Sequence, residues 1–453
     1  LGCNLASINL LKFLCPYGTF DHDSFSHAVR IWTTVLDVTV GMASYPSASI
    51  AIGSEKYRTL GLGYANLGAL LMSMGLPYDS DLGRMMATKV TSLMTARAYE
   101  TSSWLAETLG TFPRYDANKK HVLRVIRSHA MCAGAYNWNR EGTEWPAAYT
   151  PETLYPTGDF ADVVIQAWVD ACEAATEFGV RNAQVTLIAP TGTISLVMDC
   201  DTTGVEPDFA VVKFKKLAGG GYVKIVNQRV DAALEVLGYS HAAIDAIVAY
   251  MVGQGTIVGS PHGFEMTCNE RGISDDVEEM ASSSMDMRHL IADWQEWDYT
   301  DKQWNDINNF VCGTMTIEGA PYLRDRHLPV FDCANKCGRT GTRFIAPLGH
   351  IKMMACLTPL LSGSISKTVN LPESATVSDF DFVHTMSWKM GIKDVSCYRD
   401  TCKLNQPLSS SFKFDVQDTV AETILKVVET IDKGSRKFLP DRRTGFTQKV
   451  RID

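Results

Sequence analysis

Val185-Thr186-Leu187-Ile188-Ala189-Pro190-Thr191-Gly192-Thr193-Ile194-Ser195 is the stretch from which the fold is read. Its first four residues are apolar or β-branched without alternation, the composition of a strand buried on both faces. Pro190 has no amide to give a ladder, so the strand stops there. A helix starting after Pro190 leaves its first amides free, Gly192 lets a ligand approach the backbone, and Thr191, Thr193 and Ser195 add hydroxyls. Two readings of the turn stand together: a seat for phosphate, and an ordinary exit from a parallel sheet.

Outward from this stretch, strand-like and helix-like segments alternate. Residues 3–11 read as a strand, followed by a helix with apolar positions at Phe25, Val29, Trp32, Leu36 and Val40. Residues 58–68 pass from a strand into a helix at 69–74. Long helices are expected at 85–109 and 159–178, ending at Gly110 and Gly179. Residues 128–155 read as an irregular segment rich in Trp, Asn, Gly and Pro. A helix broken near Gly238 covers 228–252, and an acidic helical insertion, 274–310, is expected on the outside of the body. Helices at 347–361 and 375–390 and strands at 365–371 and 392–398 complete an α/β pattern of the parallel kind. The main body is expected to run over 1–408, with 409–453 supplying a linker, a helix at 416–431 and the start of a further domain.

The chain of 453 residues is 45% hydrophobic, enough for a large core. Its net charge of -9 is spread without a basic stripe, which argues against nucleic acid polymers as partners and leaves nucleotides open. No apolar run is long enough to span a membrane and no signal peptide is evident, so a cytoplasmic location without membrane contact is expected. Twelve cysteines in such a chain read as buried, catalytic or metal-binding thiols more readily than as a disulfide framework. Cys333, Cys337, Cys397 and Cys402 form two loosely spaced pairs that a zinc ion could join only if the fold brought them together. Gly61-x-Gly63-x-x-Asn66 follows a strand and opens a helix, but Asn66 replaces the third glycine of a dinucleotide fingerprint, so a tight structural turn is the competing reading. Cys3, at the mouth of the first strand, is a candidate redox thiol if a second thiol lies within disulfide reach.

Taken in order, C-N-L-A-S-I-N-L at 3–10, R-T-L-G-L-G-Y-A-N-L at 58–67, R-N-A-Q-V-T-L-I-A-P-T-G-T-I-S at 181–195, G-V-E-P at 204–207, S-K-T-V-N-L-P at 366–372 and Y-R-D at 398–400 resemble the catalytic chain of ribonucleotide reductases. The likeness is nearest to the adenosylcobalamin-dependent class II form and covers nearly the whole chain. It implies a ten-stranded α/β barrel built from two five-stranded halves, of which this chain supplies the second half with helical additions. In that setting Cys3 matches one thiol of the pair oxidised to a disulfide. Pro190, Thr191, Gly192, Thr193, Ile194 and Ser195 match the loop that holds the substrate's phosphates. The radical cysteine and the acid/base residues of an N-x-C-x-E finger loop would lie upstream of Leu1, and a C-terminal domain would follow Leu439-Pro440-Asp441-Arg442-Arg443. The last strand reads Val395-Ser396-Cys397-Tyr398 in place of the adjacent tyrosines of the radical-relay form. No D-x-H-x-x-G motif points to a histidine-ligated cobalamin domain.

The resemblance implies reduction of a ribonucleoside di- or triphosphate, with the diphosphate as the expected substrate, to its 2'-deoxy form by thiyl-radical chemistry. A thioredoxin- or glutaredoxin-like dithiol would then restore the cysteine pair. It further implies the missing N-terminal half of the same chain as a partner and allows a homodimer, and the chain alone is expected not to turn over. A non-catalytic nucleotide- or phosphate-binding module, and an NAD-dependent oxidoreductase using Gly61 and Gly63, are the alternatives.

Overall fold

The computed structural model describes residues 1–16, 18–135, 159–216, 222–282, 284, 286–291, 294–400, 402 and 408–409. The chain separates into a compact unit, Leu1–Ser411, and residues Phe412–Asp453, which fall outside the described residues. So do most of the 128–155 segment, from residue 136 on, and the helix expected at 416–431.

Two strands, β1 (Asn4–Asn9) and β2 (Leu60–Ala65), pair in parallel from Asn4 opposite Leu60 to Asn9 opposite Ala65. The 184–188 segment continues this sheet through bridges from Leu62 to Thr186 and from Ile188 to Ile365. It is less regular than its apolar run suggests. Leu60 and Leu62 donate to the successive carbonyls of Gln184 and Val185, so two residues of β2 face a single step of the neighbour, as in a bulge. The amides of Val185 and Thr186 turn instead to the Ser362 hydroxyl, at 3.1 and 2.9 Å. An antiparallel hairpin, β3 (Val212–Lys216) and β4 (Tyr222–Val226), was not evident in the lysine-rich sequence. Beyond it, β5 (Thr368–Leu371) pairs in parallel with β6 (Ser396–Arg399). Five parallel segments thus lie side by side in chain order: β1, β2, 184–188, 365–371 and β6.

Parallel neighbours need crossovers, and helices supply them. The first crossover contains α1 (His22–Met42) and α2 (Ala48–Tyr57); α3 (Leu67–Ser73), α4 (Asp81–Leu109), α5 (Tyr115–Cys132) and α6 (Asp159–Phe178) follow β2. Helix α4 is buried over most of its length, and its Ser92 accepts the indole N–H of Trp168 in α6 at 2.8 Å. Helix α5 occupies the start of the segment read as irregular, because Ile126 and Ala130 pack into the core where sequence showed mainly charge. The short helix α7 (Gly192–Val197) begins directly after the third strand segment.

Residues 257–312 gather a cluster of their own around Phe264, Trp297, Trp304 and Ile307, with the Tyr299 and Trp304 ring centroids 5.3 Å apart. The tryptophans of the acidic 274–310 stretch therefore pack largely on one another. No helix among the described residues is long and apolar enough to cross a membrane.

Candidate active site at the strand ends

The third strand segment ends in a built turn. Thr191 caps α7 in the left-handed region, with φ of 52°, and is buried. Its Oγ1 donates to the Pro190 carbonyl at 2.8 Å and accepts from the Gly204 amide at 2.6 Å. The buried Ser195 hydroxyl donates to the Gly192 carbonyl at 2.9 Å. Two of the three hydroxyls noted in the sequence thus shape the turn, while the Thr193 side chain is exposed. The amides of Gly192, Thr193 and Ile194 have no carbonyl partner inside the helix they open. A Cβ on Gly192 would meet nothing within 4 Å, so the approach to these amides is open. Donors with an open approach are suited to an anion.

The loop after α7 braces this turn. Gly204, at φ of 48°, lies so close to the strand end that a Cβ there would sit 2.7 Å from the Ala189 carbonyl oxygen. The Tyr78 hydroxyl donates to the Val205 carbonyl at 2.6 Å. From β1, Asn9 donates to the Met198 carbonyl at 3.2 Å and accepts from Asn66 Nδ2 at 3.0 Å. Asn66 Oδ1 in turn accepts the Thr202 amide at 3.0 Å. Beside the loop lies a cavity of about 310 Å³ lined in part by Asp201, Thr203, Glu206, Thr368, Asn370 and Tyr398. Burial raises the pKa of Asp201. Burial works against the charge of Lys213, yet the adjoining Asp208 carboxylate raises its pKa overall and holds it as a cation in the cavity wall.

Cys3 sits at the other end of the sheet, just before β1. It is a free thiol on an exposed residue, but Sγ is tucked over β2, where a Cβ on Gly61 would stand 3.0 Å from it. Gln184 Nε2 points at the sulfur from 3.9 Å. Burial raises the thiol's pKa, so it keeps its proton at neutral pH. Cys3 therefore neighbours the start of the third segment, whereas the Pro190–Ser195 turn closes its far end, and β2 lies between the two strands. From the Cys3 strand it is Asn9, at its far end, that reaches the loop after α7.

The family model described as "Ribonucleotide reductase, barrel domain" matches residues 1–265 and 265–398. The chain belongs to the ribonucleotide reductase barrel family. It is 42% identical to proteins named vitamin B12-dependent ribonucleotide reductase from Bradyrhizobium diazoefficiens and Agrobacterium fabrum, over 99% of this chain and 40% and 39% of theirs. A Mycobacterium tuberculosis protein named vitamin B12-dependent ribonucleoside-diphosphate reductase is 25% identical over 90% of this chain and 41% of its own. The chain spans about two fifths of the length of these relatives.

Within this reductase barrel, Gly61 and Gly63 lie inside β2 and not in the turn after it. A Cβ on Gly63 would come within 2.4 Å of the Leu187 carbonyl oxygen, so the glycine serves close strand packing. The turn itself is made by Asn66, buried at φ of 73°. The tight strand-to-helix turn expected here is present, at Asn66, with the two glycines in the strand before it and not in a dinucleotide-type turn. The Cys333 and Cys337 thiols are free and hydrogen-bonded to each other, which together with burial raises the Cys333 pKa well above the ordinary range. Cys397 lies on β6 against the main core and Cys402 is exposed. Among the described residues no group of three or more His, Cys, Asp or Glu is placed to hold a metal ion.

Sequence reasoning missed Asn9, Asn66 and Glu206, and Lys367, which donates to Glu206 at 2.6 Å, as parts of the site. All four stand in quoted motifs, 3–10, 58–67, 204–207 and 366–372, but polar residues in strand-like runs announce their partners only once the strands are assembled.

Proposed function

We propose that this chain forms the second half of the catalytic barrel of a vitamin B12-dependent ribonucleotide reductase acting on ribonucleoside diphosphates. The observation that carries the reading is the order of five parallel segments with Cys3 at the start of the first and the Pro190–Ser195 turn at the end of the middle one. The amides of Gly192, Thr193 and Ile194, with the Thr193 hydroxyl, hold the substrate's phosphates; Pro190, Thr191 and Ser195 keep that turn in shape. Cys3 is one of two thiols that reduce the ribose. The 2'-carbon–oxygen bond breaks, the oxygen leaves as water, the carbon gains hydrogen, and the two thiols become a disulfide. Because burial keeps Cys3 protonated, it carries the hydrogen that this step removes. The second thiol and the radical cysteine belong to parts of the protein outside this chain, and a thioredoxin-like dithiol reduces the disulfide afterwards.

Cobalamin, named in the relatives, supplies a radical when adenosylcobalamin is bound. No residue lining the 310 Å³ cavity is assigned to the cofactor.

The test is a chimaera in which this chain replaces the matching stretch of the Bradyrhizobium relative, supplied with adenosylcobalamin, a dithiol and ribonucleoside di- or triphosphate. Deoxyribonucleotide formation is expected, lost on Cys3→Ser. On Gly192→Leu, whose side chain enters open space, the apparent affinity for substrate falls at least tenfold with unchanged melting temperature. Full multiple turnover by Cys3→Ser would refute the role of the thiol.

A further inference from the structure

Lys367 stands just before β5 with its ammonium wholly buried. Its three N–H donors are all engaged: with Glu206 Oε2 at 2.6 Å, His350 Nδ1 at 2.7 Å and the Thr368 carbonyl at 3.1 Å. With Lys367 as an ammonium, which cannot accept, Nδ1 of His350 is the acceptor and the ring proton falls to Nε2, a buried atom with no hydrogen-bond partner among the described residues. Burial, reinforced by Lys367, pushes the His350 pKa well below its ordinary value and keeps that acceptor available.

Glu206 is held from both sides, because its other oxygen accepts the Thr368 amide at 2.7 Å. Two residues earlier in the chain, the Gly204 amide makes its bond to Thr191 Oγ1. A continuous path of bonds and short backbone therefore runs from the fourth parallel segment through Glu206 to the cap of α7. Along the way it holds Glu206 and Thr368, and the Glu206 amide donates to the Thr203 carbonyl at 2.8 Å; all three residues line the cavity. Buried ion pairs gain little stability over apolar packing, so the distinctive feature of Lys367 is geometric: one compact cation ties two other segments, at Glu206 and His350, to its own strand.

We propose that Lys367 is a positioning residue that sets the 203–206 rim of the cavity and, through the Gly204 amide, the left-handed conformation of Thr191 from which the phosphate turn starts. The consequence for substrate rests on the reading of residues 190–195 as that turn.

The test uses the full 453-residue chain with Lys367→Met and Glu206→Gln, read by amide hydrogen exchange and by titration with inorganic pyrophosphate. In Lys367→Met the amides of Gly204 and Thr368 exchange at least ten times faster, those of Leu60 and Leu62 at the opposite end change less than twofold, and pyrophosphate affinity drops at least tenfold. Unchanged exchange at Gly204 in Lys367→Met overturns the proposal. Should that variant loosen all four amides alike, Glu206→Gln, which keeps the side-chain volume, decides: selective acceleration at Gly204 supports the proposal and its absence overturns it. Selective acceleration in a chain whose wild-type form binds no pyrophosphate supports the positioning role and removes the phosphate reading alone.

Discussion

Asp37 of α1 ties together the beginnings of two strands, and removing its carboxylate should loosen them together. The residue is 2% exposed. Its Oδ1 accepts from Arg58 Nε at 2.9 Å and Asn182 Nδ2 at 2.8 Å, and its Oδ2 from Arg181 Nε at 2.9 Å. Asn182 Nδ2 also reaches the Arg58 carbonyl at 3.0 Å, and Ser102 donates to its Oδ1 at 2.9 Å. Asp37→Ala would leave two largely buried guanidiniums facing a void. Removing one partner of a buried ion pair costs about 3–5 kcal/mol. Both arginines keep carbonyl partners, Arg58 the backbone of residue 37 and Arg181 those of Leu109 and Gly110, so the lower end, about 3 kcal/mol, applies. The assay is hydrogen exchange at Leu60 and Leu62, whose amides donate to Gln184 and Val185 immediately after Asn182. A loss of about 3 kcal/mol accelerates exchange through that opening by roughly 150-fold. As a control, Arg30→Ala breaks a 3.5 Å pair with Glu100 in which the arginine is 38% exposed. With the arginine partly exposed and the buried Glu100 still paired to Arg97 at 2.8 Å, this loss is worth about 0.5 kcal/mol, or roughly twofold in rate. Acceleration below fivefold in Asp37→Ala would refute the view that this carboxylate joins the two strands.

Gly63→Ala should destabilise the chain by about 1–3 kcal/mol, because its Cβ would press into the Leu187 carbonyl and force β2 away from its neighbour; a lowered urea midpoint checks this. His129 offers a pH test. Its burial, partly offset by the 2.6 Å bond to the Pro359 carbonyl, lowers its pKa to about 4. The unfolded chain therefore takes up this proton first, so the residue's contribution is complete above about pH 6.5 and is lost as pH falls towards 4, by roughly 3 kcal/mol. Denaturant titrations across that window should show the slope, and His129→Gln should flatten it; an identical slope in the variant would assign the effect elsewhere.

Much of the frame was legible because its causes are local. Buried strands show as unbroken apolar runs, and the helices at 85–109 and 159–178 ended at the expected glycines, Gly110 and Gly179, both at positive φ. Helix α5 was hidden because its exposed face dominates its composition. The β3–β4 hairpin was hidden because Lys213 is tolerated in a strand only beside Asp208.

By itself the sequence determined the alternation of strands and helices, the place where the third segment must stop at Pro190, and, through several ordered motifs, the family. Tertiary structure alone decided the order of the parallel segments and the placing of Cys3 and the 190–195 turn at opposite ends of the sheet. It also turned the hydroxyls of Thr191 and Ser195 from ligand donors into braces. The physical reason is that a buried polar group is stable only with a partner. Asn66 meets Asn9 and Thr202, and Glu206 meets Lys367 and Thr368, across more than 50 residues of chain, so these pairs form only when the strands pack.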